Sequence, residues 1–491
     1  MARTSTEPQS SSAIDRYFRI TERGSTVGTE IRGGLVTFFT MAYILVLNPI
    51  ILGGVPDGTG AFLADGDTTQ IAAVTALVAG VMTILMGVVA NFPLALAAGL
   101  GLNAVVAYSI ATIPNMTWAD AMGIIVLEGL IILILVLFGL REAVFRAVPH
   151  ELKVAISVGI GLFIAYIGFV DAGFVRVPQS RGTPIELGID GSLSSWPILV
   201  FVVGLLLTII LVIRKVRGGI LIAVATSTVL AFVVQAVAGL GVRYYDPVAN
   251  QTVNPEGWSL TVPALGSGWS LPSLGIIGEF SLLGSVRNIG VVAVLLLVFT
   301  LMIADFFDTM GTMVAVGGEA GLLDEEGNPP NTRQILIVDS IAAAAGGVGS
   351  VSSNTSYIES ASGVGDGART GLASVVTGGA FLLAIFLAPL VEMVPSEAAA
   401  PALVVVGFLM LTQVTGIDWR DYEVALPAFL TIVLMPFTYS ITAGIGAGII
   451  AYVVIKVAVG KARTVHPFLY GTAVLFVLYF LQGPLREAIG F

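Results

Sequence analysis

The sequence has no cysteine and only two histidines, His150 and His466, in 491 residues. The first absence excludes a disulfide framework or a thiolate-held metal. The second leaves too few imidazoles for a histidine-built metal centre. Charge is scarce: Asp, Glu, Lys and Arg make up 11% of the chain, where soluble domains carry about a quarter. The net charge is −10, so the basic footprint that nucleic-acid binding needs is missing. No metal-ligand cluster or nucleophile–base pair is visible, and neither a cofactor nor an enzymatic activity is expected. Residues 1–30 are polar and carry Arg16, Arg19 and Arg23, which is not the pattern of a cleavable signal peptide.

What is abundant is apolar. Hydrophobic residues make up 56% of the chain and the mean hydropathy is +0.96. So few charges cannot clothe a water-exposed surface of this size; a lipid bilayer must be the solvent for much of it. A crossing takes about 20 mostly apolar residues. Such runs are Gly33–Gly53, Ile71–Ala90, Leu94–Ile113, Ala121–Leu140, Val154–Val170, Pro197–Ile213 and Gly219–Leu240. After a loop at 241–287, in which Leu274–Leu283 is expected on the membrane surface, come Ile289–Val314, Ile335–Gly349, Ser352–Val364 and Gly371–Val391. Ala400–Gly416, Ala425–Ser440 and Ile441–Val459 complete fourteen transmembrane segments. Pro467–Leu481 either crosses or lies along the inner face.

Orientation follows from the basic residues. With a cytoplasmic N-terminus, only Arg176, Arg181, Arg243 and Arg287 of the 22 Lys and Arg fall outside. Arg486 lies beyond the last stretch, and the remaining 17 are cytoplasmic. The fold class is thus an all-α polytopic protein of the cell's inner membrane. Val148-Pro149-His150-Glu151 before the fifth segment is matched by Val394-Pro395-Ser396-Glu397 before the twelfth. Seven is odd, so a second copy would enter from the opposite side, the 7+7 inverted repeat typical of secondary transporters.

Two segments are wrong for plain helices. The third contains Leu94-Ala-Leu-Ala-Ala-Gly-Leu-Gly-Leu-Asn103; the tenth contains Val351-Ser-Ser-Asn-Thr-Ser-Tyr-Ile-Glu359 after Gly346, Gly347 and Gly349. Non-helical backbone at that depth must be buried in protein or line a cavity. Interrupted segments at matching positions of two halves point to a binding site.

Buried acids point the same way. Asp305 and Asp308 lie in the eighth segment at i,i+3 spacing, on one helix face. Glu359 begins the helical half of the tenth, where free amides and the helix dipole favour a carboxylate. Each acid costs about 2.5–3.5 kcal/mol on insertion scales, so function explains them more economically than packing. No basic residue lies deep in these segments, which disfavours an anionic cargo. A flat heterocycle with several N–H donors fits, as does a cation, and one acid is a candidate proton carrier. Glu128 and Asp339 are read as helix braces. Phe306 and Phe307 are candidates for stacking on a base, although aromatics at this spacing more often pack.

The opening Thr29-Glu30-Ile31-Arg32-Gly33-Gly34-Leu35-Val36-Thr37-Phe38-Phe39-Thr40-Met41-Ala42-Tyr43-Ile44 resembles the start of the AzgA-like adenine/guanine/hypoxanthine permeases. So do Gly101-Leu102-Asn103-Ala104, Asp305-Phe306-Phe307-Asp308-Thr309-Met310-Gly311-Thr312 and Tyr357-Ile358-Glu359-Ser360-Ala361. This group lies within the nucleobase–cation symporter (xanthine/uracil permease) family. The resemblance implies short strands in segments 3 and 10, a core domain and a gate domain. Residues 29–140 and 288–392 would form the core and 141–240 and 393–460 the gate. Terminal segments at 1–28 and 461–491 and the extracytoplasmic loop at 241–287 would complete the chain. It further implies that Asn103, Asp305 and Glu359 contact a purine, that Asp308 serves coupling, and that Thr309, Tyr357 and Ile358 line the site. A homodimer importing purine bases with H⁺ by an elevator motion is the expected whole, with Na⁺ as another possible driving ion. The alternatives are a same-fold carrier for xanthine, uracil or an inorganic anion, and a channel or an intramembrane enzyme.

Overall fold

The computed structural model describes residues 12–139, 148–178, 184–246, 251–259, 261–264, 271, 273–325 and 328–481. Parts of the expected terminal, gate and loop segments lie outside these residues, and the side chain of Phe307 is likewise outside what is described.

The helices follow the apolar runs. In order they are α1 (Ala13–Phe18), α2 (Val27–Met41), α3 (Ile44–Gly53), α4 (Thr68–Leu85), α5 (Leu100–Ala104) and α6 (Trp118–Leu137). Then come α7 (His150–Asp171), α8 (Trp196–Ile213), α9 (Gly219–Ala238), α10 (Gly284–Ile289), α11 (Val291–Glu319) and α12 (Thr332–Val348). The last six are α13 (Ser360–Gly365), α14 (Gly371–Ala384), α15 (Ser396–Leu411), α16 (Tyr422–Thr438), α17 (Ile441–Ala458) and α18 (Pro467–Phe480). Among the described residues, ten helices are long and apolar enough to cross a membrane, with shorter apolar helices beside them. At about 1.5 Å per residue, the 14 residues of α18 reach about 21 Å, short of the roughly 30 Å hydrocarbon layer.

The first apolar run, counted whole among the ten as Val27–Gly53, loses its regular helical hydrogen bonding at one point while keeping right-handed backbone angles. It breaks at Ala42-Tyr43, between α2 and α3. Pro49 sits inside α3; it has no N–H for the carbonyl one turn back and its ring crowds that turn, so the chain bends ahead of it. The segment 274–283 forms no helix, and its backbone is tied to neighbouring helix ends. Gly278 N–H donates to the Val348 carbonyl at 2.7 Å and Ser281 N–H to Ala119 at 2.8 Å.

Among the described residues, six strands form three two-stranded antiparallel sheets. β2 (Val175–Arg176) pairs with β3 (Glu186–Leu187), and β4 (Tyr244–Asp246) with β5 (Gln251–Val253). The remaining pair, β1 (Leu96–Ala98) and β6 (Asn354–Ser356), is fully buried among the helices.

Packing sorts the helices into two groups. α2 to α6 pack with α12 to α14 around the β1–β6 pair, while α7 to α9 pack with α15 to α17. α11 touches members of both. In the second group α7 and α15 lie closest, each preceded by an extended proline, Pro149 or Pro395. They cross at Gly161 and Gly407, which both lie twelve residues after their proline. A Cβ on Gly161 would sit 2.8 Å from the Gly407 carbonyl oxygen, and the reverse contact is closer still. Two stretches carrying the same Val-Pro-x-Glu signature thus meet at equivalent points.

Gly407→Val is expected to force α7 and α15 apart and destabilise the protein by more than the roughly 1–3 kcal/mol of ordinary overpacking. A thermal melt of detergent-purified protein, followed by size-exclusion profile, checks this; an unchanged midpoint would refute the close crossing.

Candidate functional site

The site is built on the β1–β6 pair. Leu96, Ala97 and Ala98 face Ser356, Thr355 and Asn354. The ladder is extended by Gly99 N–H to the Ser353 carbonyl at 3.0 Å and Tyr357 N–H to the Ala95 carbonyl at 2.9 Å. Two strands leave outward-facing amides that lipid cannot satisfy, and hydroxyls meet them. Thr83 bonds both the N–H and the carbonyl of Leu96, each at 2.9 Å. Ser360 accepts from Ala95 N–H at 3.0 Å, and the Tyr357 phenol donates to the Ala98 carbonyl at 2.6 Å. Ser374 donates to the carbonyls of Phe92 and Leu94. The turn entering β6 places Ser350 and Ser352 at φ 56° and 70°, the left-handed region that non-glycine residues enter at a cost. Small polar residues suit it because they bond locally while exposing little Cβ bulk.

Both strands run out into a cavity of about 110 Å³. One wall is Gly99 to Leu102 at the start of α5; another is Ser356 to Glu359 at the end of β6. Tyr43 enters from the α2–α3 break, and Ala304 and Asp308 from α11. The facing side belongs to the other helix group: Ile156, Ser157 and Ile160 of α7, with Val406 and Met410 of α15. The cavity therefore lies between the two groups. Its lining has two carboxylates, two phenols and two serines on an otherwise apolar surface, and no basic side chain. The Tyr43 phenol donates to Glu359 Oε1, which leaves the other carboxylate oxygen to accept from a guest.

The expected residues divide into wall and backing. Asp308, Glu359, Tyr357 and Ile358 line the cavity. Asn103 and Asp305 do not; both are wholly buried. Neither polar atom of the Asn103 amide has a hydrogen-bond partner, although its backbone continues directly from the wall at Leu102. Thr309 is buried behind the wall, bonding Asp339 at 2.8 Å and Thr355 at 3.1 Å. Phe306 is buried away from the cavity. The residues that sequence reasoning did not single out are Tyr43, Ser157 and Ser356. Tyr43 was visible only as a lone phenol in an apolar run six residues before a proline. Ser356 lies within the polar stretch that marks the break of the tenth segment, whereas nothing in the spacing marks Ser157.

Residues 28–447 match the xanthine/uracil permease model, described as a permease family. The guanine/hypoxanthine permease PbuG of Bacillus subtilis (strain 168) is 39% identical over 468 residues, covering 95% of this chain and 99% of that protein. The adenine permease AdeP of Escherichia coli (strain K12) is 36% identical over 473 residues, covering 96% and 97%. Among solved structures, the transmembrane domain of the cyanobacterial bicarbonate transporter BicA aligns with a TM-score of 0.55 at 16% identity, over 85% of this chain and 97% of that one. SLC26A9 aligns at 0.59 and 12% identity, over 91% and 67%. At such identities the likeness shows the fold alone.

Thr83→Val keeps the shape of the side chain and removes both of its bonds to Leu96. Each group left unmet at that depth costs about 1–3 kcal/mol, so the variant should melt well below wild type while Thr83→Ser stays close to it. Equal midpoints for all three would show that the strand edge does not depend on Thr83.

Proposed function

The chain belongs to the permease family, and from that premise we propose that it imports purine nucleobases, driven by protons, with its two helix groups moving as core and gate. One observation carries the reading: two carboxylates, Asp308 and Glu359, share one apolar cavity without a basic side chain in its lining. Carboxylates accept from ring N–H and exocyclic amine groups. An inorganic anion would meet repulsion there, so the anion-carrier alternative is disfavoured. The relatives named guanine/hypoxanthine and adenine permeases support a purine over a pyrimidine. A purine has about ten heavy atoms, so micromolar binding asks for under about 1 kcal/mol per atom, within known limits.

In this reading Glu359, held by Tyr43, grips the base, and Tyr357 and Ile358 form part of its slot. Asn103 and Asp305 support the wall from behind and take part in recognition as the site closes. Asp308, at the same cavity, takes up the coupled proton and neutralises charge before the site crosses the low-dielectric interior. The group holding β1 and β6 would travel past the group holding α7 and α15, with the latter fixed in a homodimer.

One contact between the groups suits such a cycle. Asp366, after α13, is clamped by Arg32 of α2 and, at 2.5 Å, by Arg217 between α8 and α9. Both arginines are largely exposed. The Asp366 side chain between them is largely covered, so parting it from either arginine costs it a partner and the clamp favours this arrangement.

Labelled adenine, guanine, hypoxanthine, xanthine and uracil, offered to a host lacking its own carriers with and without a protonophore, test the cargo and the driving ion. Purine uptake collapsing with the protonophore is expected; uptake of uracil alone would overturn the reading. Glu359→Gln should abolish high-affinity purine uptake while the protein still reaches the membrane, and normal uptake would remove Glu359 from the site. Asp308→Asn should impair accumulation more than binding; lost binding with intact coupling would reverse the two acids' roles.

A further inference from the structure

The transport scheme uses one cavity, and a second, larger one lies beyond it. This second cavity measures about 340 Å³, within the roughly 300–1,000 Å³ of small-molecule sites. Two helices run from one to the other. α3 starts next to Tyr43 in the wall of the first cavity, and its Ile50 and Gly53 line the second. α15 carries Ser396 in the second and Val406 in the first. These two helices touch each other. At about 1.5 Å per residue, the steps from Tyr43 to Ile50 and from Ser396 to Val406 are about 10 and 15 Å. The cavities are therefore successive hollows along one seam, where the group holding β1 and β6 meets the group holding α15. On the orientation read from the basic residues, the second hollow lies on the outer side.

The loop between α3 and α4 supplies one wall, and buried Asp57 braces it. Asp57 Oδ1 accepts from the Thr59 amide at 2.9 Å and the Ala61 amide at 3.0 Å, and Oδ2 from the Trp118 amide at 3.1 Å. Phe62, bridged to Pro56, lines the cavity from this loop and is 46% exposed. Asp65 follows it, and Glu392 joins from the stretch before α15. Thr69 donates to Glu392 Oε1 at 2.7 Å, which leaves Oε2 to accept from a guest. Ser396 is 2% exposed, and its hydroxyl has no hydrogen-bond partner among the described residues. It opens α15, which has no side-chain cap, and first-turn amides find no acceptor within their own helix. One wall thus offers donors and the other acceptors. The described lining has no basic side chain.

We propose that this second cavity is an outer binding site for the transported base, occupied before the base enters the first. The proposal deepens the carrier reading and rests on it. A flat heterocycle that both donates and accepts matches the lining. Phe62 suits its face, Glu392 and Asp65 suit ring N–H and amino groups, and Ser396 with the start of α15 suits a ring nitrogen or carbonyl. An inorganic anion would be repelled by the two acids. A metal ion would leave Phe62, Ile50, Val391 and Val394 without a role, and no cluster of three His, Asp or Glu occurs among the described residues.

Photolabelling of the purified protein with 8-azidoadenine, followed by peptide mapping, tests this. Label is expected on residues 50–68 and 391–396 as well as on the wall of the first cavity. In Glu359→Gln, which impairs the first cavity, the outer label should persist, and unlabelled adenine should compete for it. Phe62→Ala should weaken the outer label about fivefold or more, the effect of losing a base–aromatic stack. The wild-type map needs no variant to fold. Label confined to the first cavity would overturn the proposal and leave the carrier reading standing, while label at neither would overturn both. Outer label displaced by sodium or calcium chloride and not by adenine would make the acids a cation site and likewise overturn the proposal. Failure of wild type to take up purines with both cavities labelled would overturn the carrier reading alone.

Discussion

Every backbone N–H and carbonyl that leaves a helix inside the bilayer must find a partner within the protein. The β1–β6 pair is this chain's answer to that requirement, and the site's geometry depends on it. Three residues from each half supply the ladder, and hydroxyls from Thr83, Ser360 and Ser374 meet amide groups around it. Once both strands are anchored, α5 and α13 can begin at mid-depth and leave a gap at their starts. The cavity opens there, where the backbone stops being helical.

The same economy governs the charged groups. Acids appear where a hydroxyl, an amide or a phenol can answer them: Tyr43 for Glu359, Thr309 and Ser356 for Asp339, and the amides of Arg369 and Thr370 for Glu30. Bases are kept to helix ends and loops, as with Arg32 and Arg217 on Asp366.

Much of this was legible in the residues. Long apolar runs mark the helices because lipid tolerates little else, and the polar, glycine-rich stretches after Leu94 and Val351 mark the breaks. The i,i+3 spacing of Asp305 and Asp308 shows a shared helix face but not the rotation of α11. That rotation turns Asp308 to the cavity and Asp305 into the protein. The break at Tyr43 was hidden, since an apolar run with one proline is compatible with a merely kinked helix. The Val-Pro-x-Glu pair was visible, whereas the crossing at Gly161 and Gly407 needed three dimensions.

The strand pair has a consequence for biosynthesis. Leu96 lies directly across from Ser356 in the strand pair, and roughly 260 residues separate the two in the chain. At about 5–20 residues per second, the ribosome needs on the order of 10–50 s to deliver the second strand. Through that interval the nascent first half sits in the insertion machinery with one side of β1 unpaired. Thr83, which emerges earlier and already bonds Leu96, can shield one side during the wait. The order of synthesis thus favours placing a chaperoning hydroxyl ahead of the strand it protects.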